Sequence, residues 1–518
     1  MKRNKMISDI KNNDIVWDIV IIGGGATGIG VAVDASSRGY KVLLVEQSDF
    51  GKGTSSKSTK LVHGGVRYLQ QGNISLVLEA LKERGIMRRN APHLVNDLSF
   101  IVPVYDWWEG PFYGIGLKLY DILAGKEGLG PSKILSKEET IEKIPTVEQE
   151  GLRGGVIYHD GQFDDACMLI NLARTASKQG ATLINYMKAT ALIKHDNLVQ
   201  GIEITNIEDS SVYKINAKVV VNATGVFVDS IRKMDEIDTE EIMTSSQGVH
   251  IVLDKSFLPG DTAIMVPHTD DGRVLFAVPW HNKILVGTTD TPVKNLKLEP
   301  VALKEEIEFL LQHIARYLTK DPVKEDIMSV FTGLRPLVND IDKSKTSSIS
   351  REHVVTISKS GLITIAGGKW TTYRKMAEDT VDHAILLANL DKKPCITENL
   401  QIQGYHNHAD IFGELSHYGS DALEIQNLYN EDESLRLKIH PEYPFTHGEV
   451  IWSVRNEMTR TTEDYLARRS RLLFLNAKAC IEITEMVTKI IAAELNKDNL
   501  WIEEQIKDFN NLAKNYLP

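Results

Sequence analysis

The stretch that decides the fold runs from Trp17 to Gln47, WDIVIIGGGATGIGVAVDASSRGYKVLLVEQ. An apolar strand leads into Gly23, Gly25 and Gly28 in GxGxxG spacing. A helix of small residues follows, and a second apolar strand ends at Glu46. Each glycine has a mechanical reason: a tight turn, close backbone approach to a pyrophosphate, and close packing of helix on sheet. The helix N-terminus, with Ala26 and Thr27 in its first turn, offers unpaired N–H groups and the positive end of its dipole to phosphates. Glu46 and its neighbour Gln47 stand where an acid accepts ribose hydroxyls. A lone GxGxxG says little, but the whole strand–turn–helix–strand unit with its acid predicts a bound dinucleotide.

The flanking sequence selects the dinucleotide. SDFGKGTSSKSTKLVHGG (48–65) follows the second strand directly. It supplies hydroxyls and backbone amides to a flavin and its pyrophosphate, with Thr54, Ser55, Ser58, Thr59, Lys60, Leu61, His63, Gly64 and Gly65 as candidate contacts. A later strand, KVVVNATG, adds Thr224 and Gly225. Much further on, GLITIAGGKWTTYRKMAE (361–378) repeats the strand, glycine pair and helix start, with Gly367, Gly368, Lys369 and Thr371 at the turn. A nicotinamide enzyme has no need of this second anion-binding terminus, so the expected cofactor is FAD.

The rest of the chain sets bounds. Its 518 residues accommodate two or three domains. A hydrophobic content of 42% and a charged content of 25% are ordinary globular values. A net charge of −11, with no basic runs, argues against a nucleic-acid partner. Cys167, Cys395 and Cys480 are far apart, form no CxxC pair and suit a reducing compartment; no metal is expected. The polar opening residues lack a signal-peptide core, and no apolar run is long enough to span a membrane.

The expected fold class is α/β: a Rossmann-like FAD-binding domain, a β-rich substrate domain and an all-helical C-terminal domain. Residues 1–16 read as a polar tail. Residues 17–390 form the oxidoreductase region, with cofactor-binding segments at about 17–95, 150–235 and 353–390 and substrate-domain segments at about 96–149 and 240–352. The runs HIVLD, AIMVP, VLFAVPW and KILVGTT within about 248–292 suggest an antiparallel sheet facing the substrate. Residues 391–518 read as a separate helical domain.

TSSKSTKLVHGGVRYL, VVNATG, TGLRPL, SREHVV, GGKWTTYRKMAED and TTEDYLARRSRLLFL together resemble the FAD-dependent glycerol-3-phosphate dehydrogenases of bacteria and mitochondria, in order, from about Asp18 to about Cys480. The resemblance implies oxidation of sn-glycerol 3-phosphate to dihydroxyacetone phosphate, with the C2 hydride passing to flavin N5 and electrons leaving to a membrane quinone. It also implies a peripheral position on the inner face of the cytoplasmic membrane. A homodimer is left open. Arg67, Tyr68, Arg335, Arg351 and Lys369 are placed by the resemblance around the substrate or the reactive edge of the flavin.

A phosphate monoester is close to a dianion, and arginines grip its oxygens in bidentate fashion. Oxidising a secondary alcohol also requires a proton acceptor. His250, in SSQGVHIVLD, matches a histidine that the family presents to substrate. His63, in KLVHGG, is the other candidate base or an orienter of the cofactor. Arg335 or Lys369 beside either stabilises the developing alkoxide.

Other features stay open. His406 and His408 read as a polar loop. Asp164 and Asp165 fit a helix start. Arg468, Arg469 and Arg471 form either a salt-bridged face or a lipid-headgroup site, and the segment around Trp107 and Trp108 is either a buried cap or a membrane contact. The alternatives in activity are a glycerol-3-phosphate oxidase using oxygen, a related FAD-dependent amine oxidase, and a flavin-binding RNA-modification or RNA-binding protein.

Overall fold

In the computed structural model all residues are described except 13, 66–68, 70–72, 268, 271 and 339–352. The strand Val16–Ile22 lies inside an eight-stranded sheet, parallel to Val42–Val45 on one side and Val212–Asn222 on the other. Thr182–Ile184 and Ile363–Gly367 continue the parallel array outward. The strand His353–Ile357 and the hairpin of Met187–His195 with Leu198–Asn206 add antiparallel pairings. Parallel strands are covered on both faces, which explains the unbroken apolar run of the first strand. Ile19 and Ile21 pack into the core shared with helices Ala26–Ser37, Asp165–Lys178 and Tyr373–Leu387, while Val20 and Ile22 join a second cluster on the opposite face.

A ten-stranded sheet forms the second layer. Met243–Asp254 pairs antiparallel with both Ser329–Val338 and Lys283–Gly287. Leu275–Trp280 and Ala263–Val266 follow antiparallel, and the last of these joins Val95–Val104 in parallel. The segment 248–292 is thus antiparallel within itself, as expected, with one parallel seam beyond it.

Three expected boundaries shift. Gly154–Phe163, expected among the cofactor-binding segments, pairs with Val95–Val104 from Val95↔Phe163 to Val104↔Gly154 and so belongs to the second sheet. The chain returns to the layer of the first sheet only at the helix Asp165–Lys178. Residues 1–16, expected as a tail, contain the helix Arg3–Lys11, whose Met6 and Ile10 are buried; Arg3 anchors it to Asn185 and Glu208. The C-terminal region is helical, with a small core of its own around Ile425, Tyr429 and Trp452, but it is not packed independently of the second sheet. Leu466, Leu473 and Phe474 bury in one cluster with Val252, Leu285 and Phe331 of the second sheet.

The arginine cluster is internal. Arg468 and Arg469 both reach Asp49, at 2.5 and 2.8 Å, and Arg468 also pairs with Glu463 and Asp464. Burial pushes the Asp49 carboxyl up, but the Arg469 and Arg468 guanidiniums outweigh it and hold it at about 2. Arg471 donates to Asp165 at 2.8 Å and to the Ser56 carbonyl at 2.8 Å. Lys60 Nζ donates to the same two residues, at 2.6 and 2.7 Å. These contacts overturn the lipid-headgroup reading, since all three arginines are buried. Asp164 does cap the helix Asp165–Lys178, accepting from Ala166 and Cys167. Trp107 and Trp108 lie exposed at the start of the helix Glu109–Ala124, whose other face buries Tyr113, Leu117 and Tyr120, so the segment is a buried cap on one side only.

Candidate active site

A cavity of about 800 Å³ opens between the two sheets. The register of the second sheet explains why its wall carries a base and a cation. Opposite pairs run Ser246↔Arg335, Gly248↔Gly333 and His250↔Phe331. Side chains two and four residues apart share a face of a strand, so Arg335 and His250 point to the same side, separated by two glycines. A Cβ on Gly287, the partner of His250 on its other flank, would lie 2.2 Å from the imidazole Cδ2. The missing side chain there is what leaves room for the ring.

His250 stacks on Phe331 with ring centres 4.8 Å apart, and its Nε2 lies 2.9 Å from Thr59 Oγ1. Burial, then the charges of Lys60 and Arg335, push the imidazole well below its ordinary range. It is therefore uncharged at neutral pH, which leaves one ring nitrogen as a hydrogen-bond acceptor. The guanidinium of Arg335 is held as a fork. Nη1 donates to Asp290 at 3.0 Å, and Nη2 donates to Thr288 Oγ1 at 3.0 Å and to the Thr289 carbonyl at 2.7 Å. The backbone carrying these acceptors is pinned by the buried Glu306, whose carboxylate accepts from Gln247, Thr289, Thr291 and the Leu303 N–H.

The first sheet supplies the other wall. The helix Ala26–Ser37 opens on the cavity through Gly25, Ala26 and Thr27; Gly25 has no side chain to cap it, and the Ala26 N–H donates to Ser55 Oγ at 2.9 Å. Gly28 lies one turn in, where a Cβ would sit 2.0 Å from the Gly23 carbonyl oxygen. Its role is the close packing of helix on strand rather than contact with a ligand. Glu46 ends its strand at the cavity and accepts from the Gly24 and Ser48 N–H groups at 2.7 and 2.9 Å; burial raises its carboxyl. A carboxylate has about four lone-pair sites, which leaves acceptors for ribose hydroxyls. A helix N-terminus with a glycine at its cap and a carboxylate at the neighbouring strand end is the donor and acceptor set that a dinucleotide requires, so these residues fit FAD. The late glycine turn closes the same space: Gly367, Gly368, Lys369 and Thr371 line it, and Trp370 Nε1 donates to the Ser55 carbonyl at 2.8 Å.

Most residues singled out from the sequence line this one cavity. Gly23, Gln47, Thr54, Ser55, Ser58, Leu61, His63, Gly65, Thr224 and Gly225 do so alongside those already named. Three do not. Gly28 has the packing role just described, Gly64 donates to Tyr120 Oη away from the cavity, and Lys60 is drawn into the buried Asp165 network. Arg67, Tyr68 and Arg351 lie outside the described residues. Asp290, Thr288 and Glu306 were missed; the run GTTD after the strand KILV was the available signal.

The comparisons agree with this geometry. A family model described as FAD dependent oxidoreductase matches residues 18–374, and one described as the C-terminal domain of alpha-glycerophosphate oxidase matches residues 363–501. The mitochondrial glycerol-3-phosphate dehydrogenase of Homo sapiens is 40% identical over 96% of this chain and 73% of its own length. That of Schizosaccharomyces pombe is 38% identical over 96% of this chain and 86% of its own. The structure of glycerol-3-phosphate dehydrogenase from Bacillus halodurans complexed with FAD superposes with a TM-score of 0.82, at 30% identity, covering 100% of this chain and 98% of that one. L-alpha-glycerophosphate oxidase from Mycoplasma pneumoniae, at 17% identity and a TM-score of 0.57, shares the fold. On this evidence the chain belongs to the FAD-dependent glycerol-3-phosphate dehydrogenase family.

Proposed function

We propose that the chain oxidises sn-glycerol 3-phosphate to dihydroxyacetone phosphate and passes the electrons to a membrane quinone. The observation that carries this reading is the shared sheet face that sets a neutral His250 and the forked Arg335 in one cavity with the N-terminus of the helix Ala26–Ser37. Arg335 and Lys369 bind the phosphoryl oxygens and fix the alcohol carbon. Arg67, Tyr68 and Arg351 are assigned to the same substrate contacts on sequence alone. His250 accepts the hydroxyl proton at Nε2, the nitrogen beside Thr59, and the nearby cations stabilise the alkoxide as it forms. His63 is the alternative acceptor. FAD, when bound, supplies the hydride acceptor for C2.

Two features support a quinone and a membrane surface. Leu61, Phe100, Tyr158, Met265 and Phe276 give the cavity an apolar, aromatic arm suited to a flat ring. On the helix Glu109–Ala124, Phe112, Ile115, Leu119 and Ile122 recur at helical spacing and are all exposed, with Ile115 and Ile122 each 73% and the adjoining Trp107 77% accessible. Such a stripe with tryptophans at its start suits the headgroup boundary of a bilayer. No described helix is long and apolar enough to cross one.

Holoenzyme reduced under nitrogen with glycerol 3-phosphate is expected to be reoxidised faster by a quinone analogue in anionic liposomes than by air. Asp at both Ile115 and Ile122 removes co-flotation with the liposomes while turnover with a water-soluble dye persists. Equally fast reoxidation by oxygen transfers the reading to the oxidase, and unchanged flotation moves the membrane contact elsewhere.

A further inference from the structure

The partners of Arg335 raise a question that the proposed function leaves open. A cation meant to receive a phosphate dianion already faces a carboxylate: Asp290 Oδ1 lies 3.0 Å from Arg335 Nη1. Both side chains are largely but not fully covered, with 15% and 19% of their surfaces accessible, and both line the cavity. The other guanidinium nitrogen is tied to the adjacent Thr288 hydroxyl and Thr289 carbonyl. These contacts are neutral and fix the plane of the fork without competing in charge.

The backbone beneath Asp290 cannot yield easily. Thr289 and Thr291 on either side both donate to Glu306, at 3.0 and 2.6 Å, and Thr289 Oγ1 accepts from the Val249 N–H at 3.0 Å. Asp290 is thus a short carboxylate side chain on an anchored link between the strands Lys283–Gly287 and Thr291–Val293, and rotation about its own bonds is what takes it off Arg335.

We propose that Asp290 is a specificity-determining stand-in for the substrate's phosphoryl group: it occupies Arg335 in the empty site and gives way to a dianion. This rests on the assignment of Arg335 to phosphate binding. A singly charged or neutral ligand gains too little from the fork to displace a carboxylate already in contact, whereas a phosphate monoester brings about twice the charge and further oxygens. When substrate arrives, Asp290 turns away, because two anions on one cation repel at this range. Binding is weakened by the fraction of time that Arg335 is engaged, and the same competition speeds loss of the phosphorylated product.

The test is Asp290→Asn in the FAD-loaded enzyme, with inorganic phosphate as a probe that carries the charge but not the alcohol. The KM for glycerol 3-phosphate and the inhibition constant of phosphate are both expected to fall about tenfold, and Asp290→Glu to return both towards the starting values. A KM that rises or stays put in an Asn variant that keeps its flavin overturns the stand-in role, because Asp290 then only positions Arg335. If Asp290→Asn and Asp290→Ser both lose flavin, the residue is structural and the proposal falls. Arg335→Ala separates the two readings. If that variant keeps its KM, phosphate binding by Arg335 is itself wrong; if it loses substrate binding while Asp290→Asn fails to tighten it, only the stand-in is wrong.

Discussion

Holoenzyme carrying Arg335→Ala is expected to retain its flavin and to lose about 10²–10³-fold in kcat/KM for glycerol 3-phosphate, the consequence of removing one member of a desolvated charge pair. The flavin is retained because Arg335 stands on the second sheet, whereas the dinucleotide fingerprint and Glu46 stand on the first. The loss is large because the fork is already oriented by Thr288 and Thr289, so it delivers its donors to a ligand with little ordering left to do. Arg335→Lys restores the charge but not the planar geometry, and is expected to recover only part of the loss. Steady-state kinetics alongside the flavin absorbance of each variant checks both points. Normal turnover in the alanine variant means the phosphate is held elsewhere.

The second large effect concerns stability. Arg471→Ala leaves Asp165 with the lone cation Lys60 in a region where all three side chains are buried, and is expected to lower stability by about 3–5 kcal/mol. The contrast is the pair Lys82–Glu398, with 58% and 45% of its side-chain surfaces accessible, whose loss should be undetectable. The difference lies in solvation: an exposed ion that loses its partner regains water, and a buried one does not. Arg471 also donates to the Ser56 carbonyl, so the variant loosens the loop that carries Thr54, Ser55 and Thr59 into the cavity. A urea midpoint that moves strongly for Arg471→Ala and not for Lys82→Ala is the expected pattern; equal midpoints contradict it.

What could be read from the sequence follows the range of the interactions involved. Gly23, Gly25 and Glu46 were legible because a phosphate-binding turn is local, and its geometry is written in consecutive residues. The strand Gly154–Phe163 was misassigned because its partner, Val95–Val104, is about fifty residues upstream, and nothing in its own apolar pattern says which sheet it joins. Lys60 sits among the hydroxyl-rich residues that line the cavity, yet the buried Asp165 and Ser56 carbonyl draw its ammonium away from them. The arginines at 468, 469 and 471 look on paper like a surface patch, and only the fold shows Asp49 and Asp165 waiting for them. Asp290 and Glu306 were invisible for the same reason: their meaning depends on which arginine and which threonines the sheet register brings beside them.

In the proposed reaction this cavity couples a bound flavin to a phosphorylated secondary alcohol. The most direct measurement is the flavin absorbance of the purified holoenzyme under strict anaerobiosis, titrated with sn-glycerol 3-phosphate and, separately, with glycerol. Bleaching of the flavin band by the phosphate ester, with none by glycerol at the same concentration, is the predicted result. Protein that is colourless and cannot be reconstituted with FAD, or flavin that glycerol 3-phosphate leaves oxidised, would contradict it.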